Sequence, residues 1–202
     1  MKPKADPITT QVVRYALEQI ADEMGYTLVR TARSTVIKEI KDISCAVFDG
    51  LGNTVAQAHH APMLLTGFEL GMRALRRRYR DDELDDGDII VFNDPYAGGQ
   101  HVMDLVTFAP VKLRGRLVGF VGNIAHHTDM GGAAPGGTAG GLTEIFMEGL
   151  RLPFVKLYKR GVEDPELFGV LANNIRVPDR TLGDIRAQAS ANFERLFALK
   201  TS

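Results

Sequence analysis

Two segments hold residue types that do chemistry together. FNDPYAGGQHVMD (residues 92–104) carries Asp94, His101 and Asp104, and GNIAHHTDMGG (residues 122–132) carries His126, His127 and Asp129. The other two of the five histidines, His59 and His60, sit in a third short polar segment, AQAHHAP. Imidazole and carboxylate without thiolate make a donor set for a divalent transition metal such as Mn, Fe or Zn. A cation held there polarises a carbonyl or activates water. His101 and Asp104 would fall on opposite faces of a pure strand, so their pairing requires a turn over residues 100–104. His127 and Asp129 are expected beside the metal, orienting its ligands and serving the catalysis.

These residues need a scaffold, and the flanking pattern supplies one. The apolar run GDIIVF (87–92) reads as a buried strand ending in the Asn-Asp-Pro turn chemistry of residues 93–96. Residues 104–113 and 116–125 read as two strands joined by a tight Arg-Gly turn at 114–115. That hairpin brings the HxxD at one strand's start next to His126-His127 at its neighbour's end. Two further runs, 43–48 and 54–58, flank a Gly/Asn turn and read as another hairpin leading into His59-His60. MGGAAPGGTAGGL (130–142) holds three Gly-Gly pairs, which exclude a stable helix or strand and imply a loop beside the histidines. It lacks the Gly-Lys-Ser/Thr of a nucleotide phosphate loop.

Helices complete the scheme. Asp6-Pro7 is a helix start, and Val13, Leu17, Ile20, Met24 and Leu28 recur at helical spacing over residues 7–30. Residues 66–80 put Phe68, Met72 and Leu75 on one face, and 165–174 forms a shorter helix. A last helix, capped by Asp179 or Thr181, is still patterned where the chain stops, as expected of a shortened chain or one that completes its core against a partner. The fold class is α+β: a long N-terminal helix, short antiparallel strands carrying the site, and a C-terminal helix, in one domain over residues 1–202.

Composition narrows the function. The 202 residues have a formal net charge of -1, which offers no electrostatic attraction to nucleic acid or an anionic membrane. The basic cluster RALRRRYR (73–80) is followed at once by DDELDD and reads as self-neutralising. No run approaches the length of a membrane span, and MKPKADPITT lacks an apolar signal core, so a cytoplasmic protein is expected. The single cysteine, Cys45, lies in an apolar run and reads as a buried hydrophobe.

Four motifs in order carry a resemblance. SxxIKExxDxSCAxFD (34–49), VAQAxHxP (55–62), NDPYxGGxHxxD (93–104) and the HHxDxGGxxPG run from His126 are similar to the hydantoinase B/oxoprolinase family. The family includes N-methylhydantoinase B subunits, 5-oxoprolinases, caprolactamase and the α subunits of acetone carboxylases. The resemblance covers residues 7–199 and only the N-terminal part of proteins well over twice as long. It implies a metal-bearing catalytic subunit that works with an actin-like, ATP-binding A-type subunit in a hetero-oligomer, with ATP and Mg on the partner. It implies His101, Asp104 and His126 as ligands, joined by Glu39 or Asp42, with His127 and Asp129 just outside. The reaction implied is ATP-dependent opening of a hydantoin, 5-oxoproline or lactam ring. The alternatives are an acetone-type carboxylase subunit using bicarbonate, and a non-catalytic scaffold.

Overall fold

The computed structural model describes residues 6–201 apart from His59 and Thr138, without the side chains of Pro62 and residues 195–201. Seven strands form one antiparallel sheet: β1 Ile43–Asp49, β2 Thr54–Gln57, β3 Ile89–Phe92, β4 Asp104–Leu113, β5 Arg116–His126, β6 Val155–Lys159 and β7 Val162–Glu163. Their order across the sheet is β2-β1-β5-β4-β3-β6-β7. The central strands β4 and β5 run 10 and 11 residues, within one residue of the runs read from the sequence. Their turn falls at Arg114 and Gly115, both with positive φ, the pairing that matches the sheet's right-handed twist in a two-residue hairpin.

Both faces of the sheet are covered, which explains why its strands are apolar without alternation. One face receives α1 (Pro7–Thr31), α3 (Pro165–Asn174) and α4 (Pro178–Thr201), which pack Met24, Leu28, Leu171 and Ile185 against Cys45, Leu105, Val121 and Ala125. The other receives α2 (Leu65–Arg78), whose Phe68, Met72 and Leu75 meet Phe48, Val106, Phe108, Phe120 and Ile124. Successive residues of β4 and β5 therefore enter different cores. Cys45 is wholly buried, and burial raises its thiol pKa far above the ordinary range.

Helix α1 begins with Asp6 accepting from the Thr9 backbone N–H. Its apolar stripe is used unevenly. Met24 and Leu28 are fully buried and Leu17 and Ile20 partly so, whereas Val13 is exposed. α4 runs antiparallel to α1: Thr27 donates to Glu194 at 2.6 Å, and the Arg33 backbone N–H donates to Asp184 at 2.5 Å. The expected cap of α4 at Asp179 or Thr181 is corrected, because the helix already starts at Pro178 and Thr181 N–H bonds to Val177 O. Proline is pre-organised for a first helical position, so the helix starts there. The basic cluster is partly neutralised as expected, by Arg76–Asp81 and Arg80–Asp82 ion pairs. Among the described residues no helix is long and apolar enough to cross a membrane.

Buried polar side chains bind α4 to the sheet. Asn123 on β5 donates to Gln188 O and Asn192 Oδ1, at 3.0 and 2.9 Å. It accepts from Gln188 Nε2 and Thr107 Oγ1, at 2.9 and 3.0 Å. Gln188 Nε2 also donates to Leu105 O at 2.9 Å. All four side chains are fully buried, so each bond replaces one that water would have made.

Candidate metal centre

The site lies where β4 begins and β5 ends. Asp104 and His126 are paired across the two strands, and residues 101–103 form the turn that the HxxD requires. Asp104 N–H donates to His101 O, and His101 N–H donates back to Asp104 Oδ2, both at 3.0 Å. The Asp104 carboxylate then takes one imidazole on each oxygen: His101 Nδ1 is 2.8 Å from Oδ2 and His126 Nδ1 is 2.7 Å from Oδ1. Asp104 is 1% exposed and His101 is 61% exposed, so the carboxylate is the buried anchor and the imidazoles face outward.

The electrostatics follow from this geometry. Burial pushes the Asp104 pKa up, but the bond to His126 and the charges of both histidines outweigh it and hold the group below its ordinary value. The bond to Asp104 raises His126 above its ordinary value against opposing burial, and Asp42 adds to the rise. The three side chains offer two nitrogens and a carboxylate oxygen within 4.8 Å of one another. That donor set, one anionic and two neutral, suits Mn, Fe or Zn, whose binding displaces the imidazole protons.

Local backbone devices hold the loop that carries His101. Asn93, fully buried, donates to Val102 O and Leu150 O at 2.6 and 2.9 Å and accepts from Leu152 N–H at 2.6 Å. Gln100 reaches α2 through Thr66 Oγ1 at 2.6 Å. Gly98, at φ +111°, lies so close to α2 that an added Cβ would sit 2.5 Å from Gly71 N. Only glycine combines that conformation with that approach.

The two candidate fourth ligands occupy different positions. Residues 36–40 form a one-turn π-helix anchored by buried Ile37, and Glu39 on it is exposed. Lys41 follows in the left-handed region (φ 57°), and Ile43 N–H bonds back to Lys41 O at 2.8 Å. After this tight reversal the backbone carbonyl of half-buried Asp42 accepts from His126 N–H at 3.1 Å; among the described residues the donor cluster is His101, Asp104 and His126, and it includes neither Glu39 nor Asp42. A non-glycine residue in this conformation costs on the order of 1–3 kcal/mol, and such strain gathers at functional sites.

The structure does not bring His127 and Asp129 to the same place. Period-two alternation sends His127 to the opposite face of the sheet, where it is fully buried. Both N–H groups of Gln188 are spent on Leu105 and Asn123, so Gln188 Oε1 accepts from His127 Nε2 at 2.9 Å. Burial lowers the His127 pKa. Asp129 accepts from the backbone of Gly131 and Arg176 and from the Arg176 guanidinium at 2.9 Å. His60 packs against Gly25 of α1, outside the cluster, and His59 lies outside the described residues.

A cavity of about 660 Å³ opens in front of His101 and His126. Val102, Met103 and Leu142 supply apolar wall, and Gly137 and Gly140 of the glycine-rich loop form part of its border, as the sequence leads one to expect. Glu148 also lines it. Sequence reasoning missed Glu148, because nothing in TEIFMEGL distinguishes it from a solvated acid.

Fold and site together define a class: an α+β protein with a covered antiparallel sheet and a two-histidine, one-aspartate cluster at the mouth of a cavity. The chain belongs to the Hydantoinase B/oxoprolinase family, whose profile matches residues 6–195. It is 36% identical over 193 residues to the B component of a putative D-/L-hydantoinase from a Pseudomonas species, covering 93% of this chain and 32% of that one. The crystal structure of an ATP-dependent caprolactamase from Pseudomonas jessenii superposes with a TM-score of 0.90 at 36% identity, covering 98% of this chain and 34% of that one. A nucleotide-free acetone carboxylase structure shares the fold, with a TM-score of 0.90 at 18% identity over 96% of this chain and 26% of that one. The chain spans about a third of the length of the first curated relatives it matches.

Proposed function

We propose that this chain is the metal-bearing part of an ATP-dependent enzyme that opens cyclic amides. The observation that carries the reading is the Asp104 carboxylate held between His101 and His126 at the cavity mouth, in a chain of this family. His101, Asp104 and His126 are the ligands, and Asp42 is the fourth, favoured over Glu39 by its place beside His126. A bound Mn, Fe or Zn would supply Lewis acidity toward a carbonyl or water. The protein's own contribution is placement. Asp104 fixes both imidazoles, and the glycine-rich loop borders the space in which a ring would sit. His127 and Asp129 act as positioning residues: His127 ties the end of β5 to α4, and Asp129 ties the following loop to Arg176.

The nucleotide step belongs to a separate ATP-binding, A-type partner in a hetero-oligomer, as the subunit names of the relatives suggest. The 202 residues correspond to the N-terminal domain of such a protein. Amide opening is preferred over ketone carboxylation because the caprolactamase and hydantoinase relatives are 36% identical, against 18% for the carboxylase. The test is elemental analysis of the wild type beside His101→Ala/Asp104→Ala, followed by assay with an A-type partner. About one metal per chain, lost in the double variant, together with lactam or hydantoin opening, supports the reading. A new carboxylate on a ketone carbon would transfer it to the carboxylase branch. No metal in either sample, or activity that survives His101→Ala, would leave only a scaffold.

A further inference from the structure

A second cavity, of about 500 Å³, opens at the start of α4 and shares no lining residue with the one at the metal centre. Arg33, Arg176 and Arg180 line it together with Val177, Pro178 and Asp179, so three guanidinium groups share the wall with one carboxylate. Two of the three are held in place. Arg33 donates from Nη1 to Asp179 O at 3.0 Å. It lies along α4 where Gly183 leaves room, since an added Cβ there would sit 2.5 Å from Arg33 Nε. Arg176 donates to Asp129 at 2.9 Å, to Gly131 O at 3.1 Å and to Gly132 O at 2.6 Å. The third, Arg180, has no side-chain hydrogen bond or ion pair among the described residues.

The helix backbone supplies little here. Pro178 has no N–H, and the N–H groups of Arg180 and Thr181 both bond to Val177 O at 3.1 Å. The donors on offer are the guanidinium forks. Two nearby acids are already occupied. Asp129 accepts from Arg176 and from the Gly131 and Arg176 backbones, and buried Asp184 accepts from the backbone N–H groups of Arg33 and Ser34. Arg33 and Arg180 form no ion pair among the described residues, so their charge is available to a ligand. An arginine fork matches the oxygens of a carboxylate or a phosphate, and three forks supply donors to more than two oxygens. That favours phosphate, which keeps three free oxygens even as a monoester. The cavity is larger than a phosphate ion, and Val177 and Pro178 give it an apolar wall against which an organic body fits.

We propose that this cavity binds a phosphate group, free or carried as a monoester. Arg33 and Arg180 are its cationic ligands. Arg176 contributes from a fixed position and joins the site to the glycine-rich loop through Gly131 and Gly132. The site stands apart from the metal centre and does not depend on the amide-opening reading.

The experiment titrates the chain as purified with inorganic phosphate, phenyl phosphate and acetate at constant ionic strength, by calorimetry and ligand-observed NMR. Wild type is compared with Arg33→Gln, Arg180→Gln and Asp179→Asn. Arg77→Gln on α2 is the charge-matched control, and His101→Ala/Asp104→Ala removes the metal centre. Unfolding midpoints are recorded for each; Arg180→Gln breaks no bond among the described residues and should fold as the wild type does. Phosphate should bind saturably with Kd about 1 mM or tighter, the scale of two charge-assisted contacts, and acetate should bind more weakly. Arg33→Gln and Arg180→Gln should each weaken phosphate about tenfold, and Asp179→Asn should tighten it. Arg77→Gln and the metal-centre variant should leave it unchanged. Tighter binding of phenyl phosphate than of phosphate assigns the site to an organic phosphate, and equal or weaker binding assigns it to the free ion. No saturable phosphate binding, equal affinity in wild type and Arg180→Gln, acetate bound as well as phosphate, or loss of binding in a folded metal-centre variant overturns the proposal.

Discussion

Replacing Asn123 by Leu separates what holds the sheet from what holds the site. Asn123 is fully buried and makes four side-chain bonds, to Gln188 O, Asn192 Oδ1, Gln188 Nε2 and Thr107 Oγ1, all between 2.9 and 3.0 Å. Leucine is close in size but makes none of them. Each lost bond costs about 1 kcal/mol net, and partners left buried and unsatisfied raise the sum, so a loss of about 4 kcal/mol is expected. For a chain of this length about 1 kcal/mol moves Tm by about 2–4 °C, so a fall of about 8–16 °C follows. Thermal and urea unfolding followed by circular dichroism measure it. At a temperature where the variant is folded, metal content should match the wild type, because the Asp104–His126 pairing is made by β4 and β5 themselves. A loss below about 1 kcal/mol would mean the amides are no better satisfied than in water, and the network argument would fail.

Three further outcomes are expected. His126 must shed its proton to bind metal, and its pKa is held above the ordinary imidazole value by its bond to Asp104. Apparent metal affinity should therefore begin to fall as pH drops, already above about pH 6.5; chelator competition showing constant affinity down to about pH 6 would refute this. Gly98→Ala imposes a Cβ 2.5 Å from Gly71 N at φ +111°. It should lower both Tm and metal affinity by displacing the His101 loop, at a cost of about 1–3 kcal/mol, and a variant with wild-type values for both would contradict the stated role of this contact. Burial pushes the Asp129 pKa up, but bonds from the Arg176 and Gly131 backbones and the Arg176 guanidinium leave it below the ordinary value. Asp129 therefore stabilises the fold above the unfolded carboxylate range and loses that contribution as pH falls through its lowered value. Arg176→Ala should cost about 1–2 kcal/mol near neutral pH and less in acid, read from urea midpoints across pH; an equal cost at both would refute the pairing.

Much of the site was legible because it is local. The Arg114-Gly115 turn and two apolar runs were enough to bring Asp104 beside His126, and the HxxD demanded the turn that residues 101–103 make. The helix at 165–174 and the loop character of the glycine-rich stretch follow from caps and glycines read within a few residues. Two details were not legible from residue type alone. The α1 stripe looks equally apolar at Val13 and Met24, but only Met24 meets the sheet. Asp179 and Thr181 are good cap residues by type, yet Pro178 already begins the helix.

The sequence by itself determined the antiparallel hairpins, the α+β class and the three clustered donors, since each depends on side-chain period, turn chemistry or residues facing each other across one tight turn. Only the tertiary structure decided the rest. It turned His127 away to Gln188, 61 positions along the chain, and gave Asp129 to Arg176, 47 positions along. It joined the Asp42 backbone carbonyl to the His126 N–H and put Glu148 in the cavity wall. Residue type states what a side chain can bond, but burial and the partner that arrives from a distant segment settle which bond it makes.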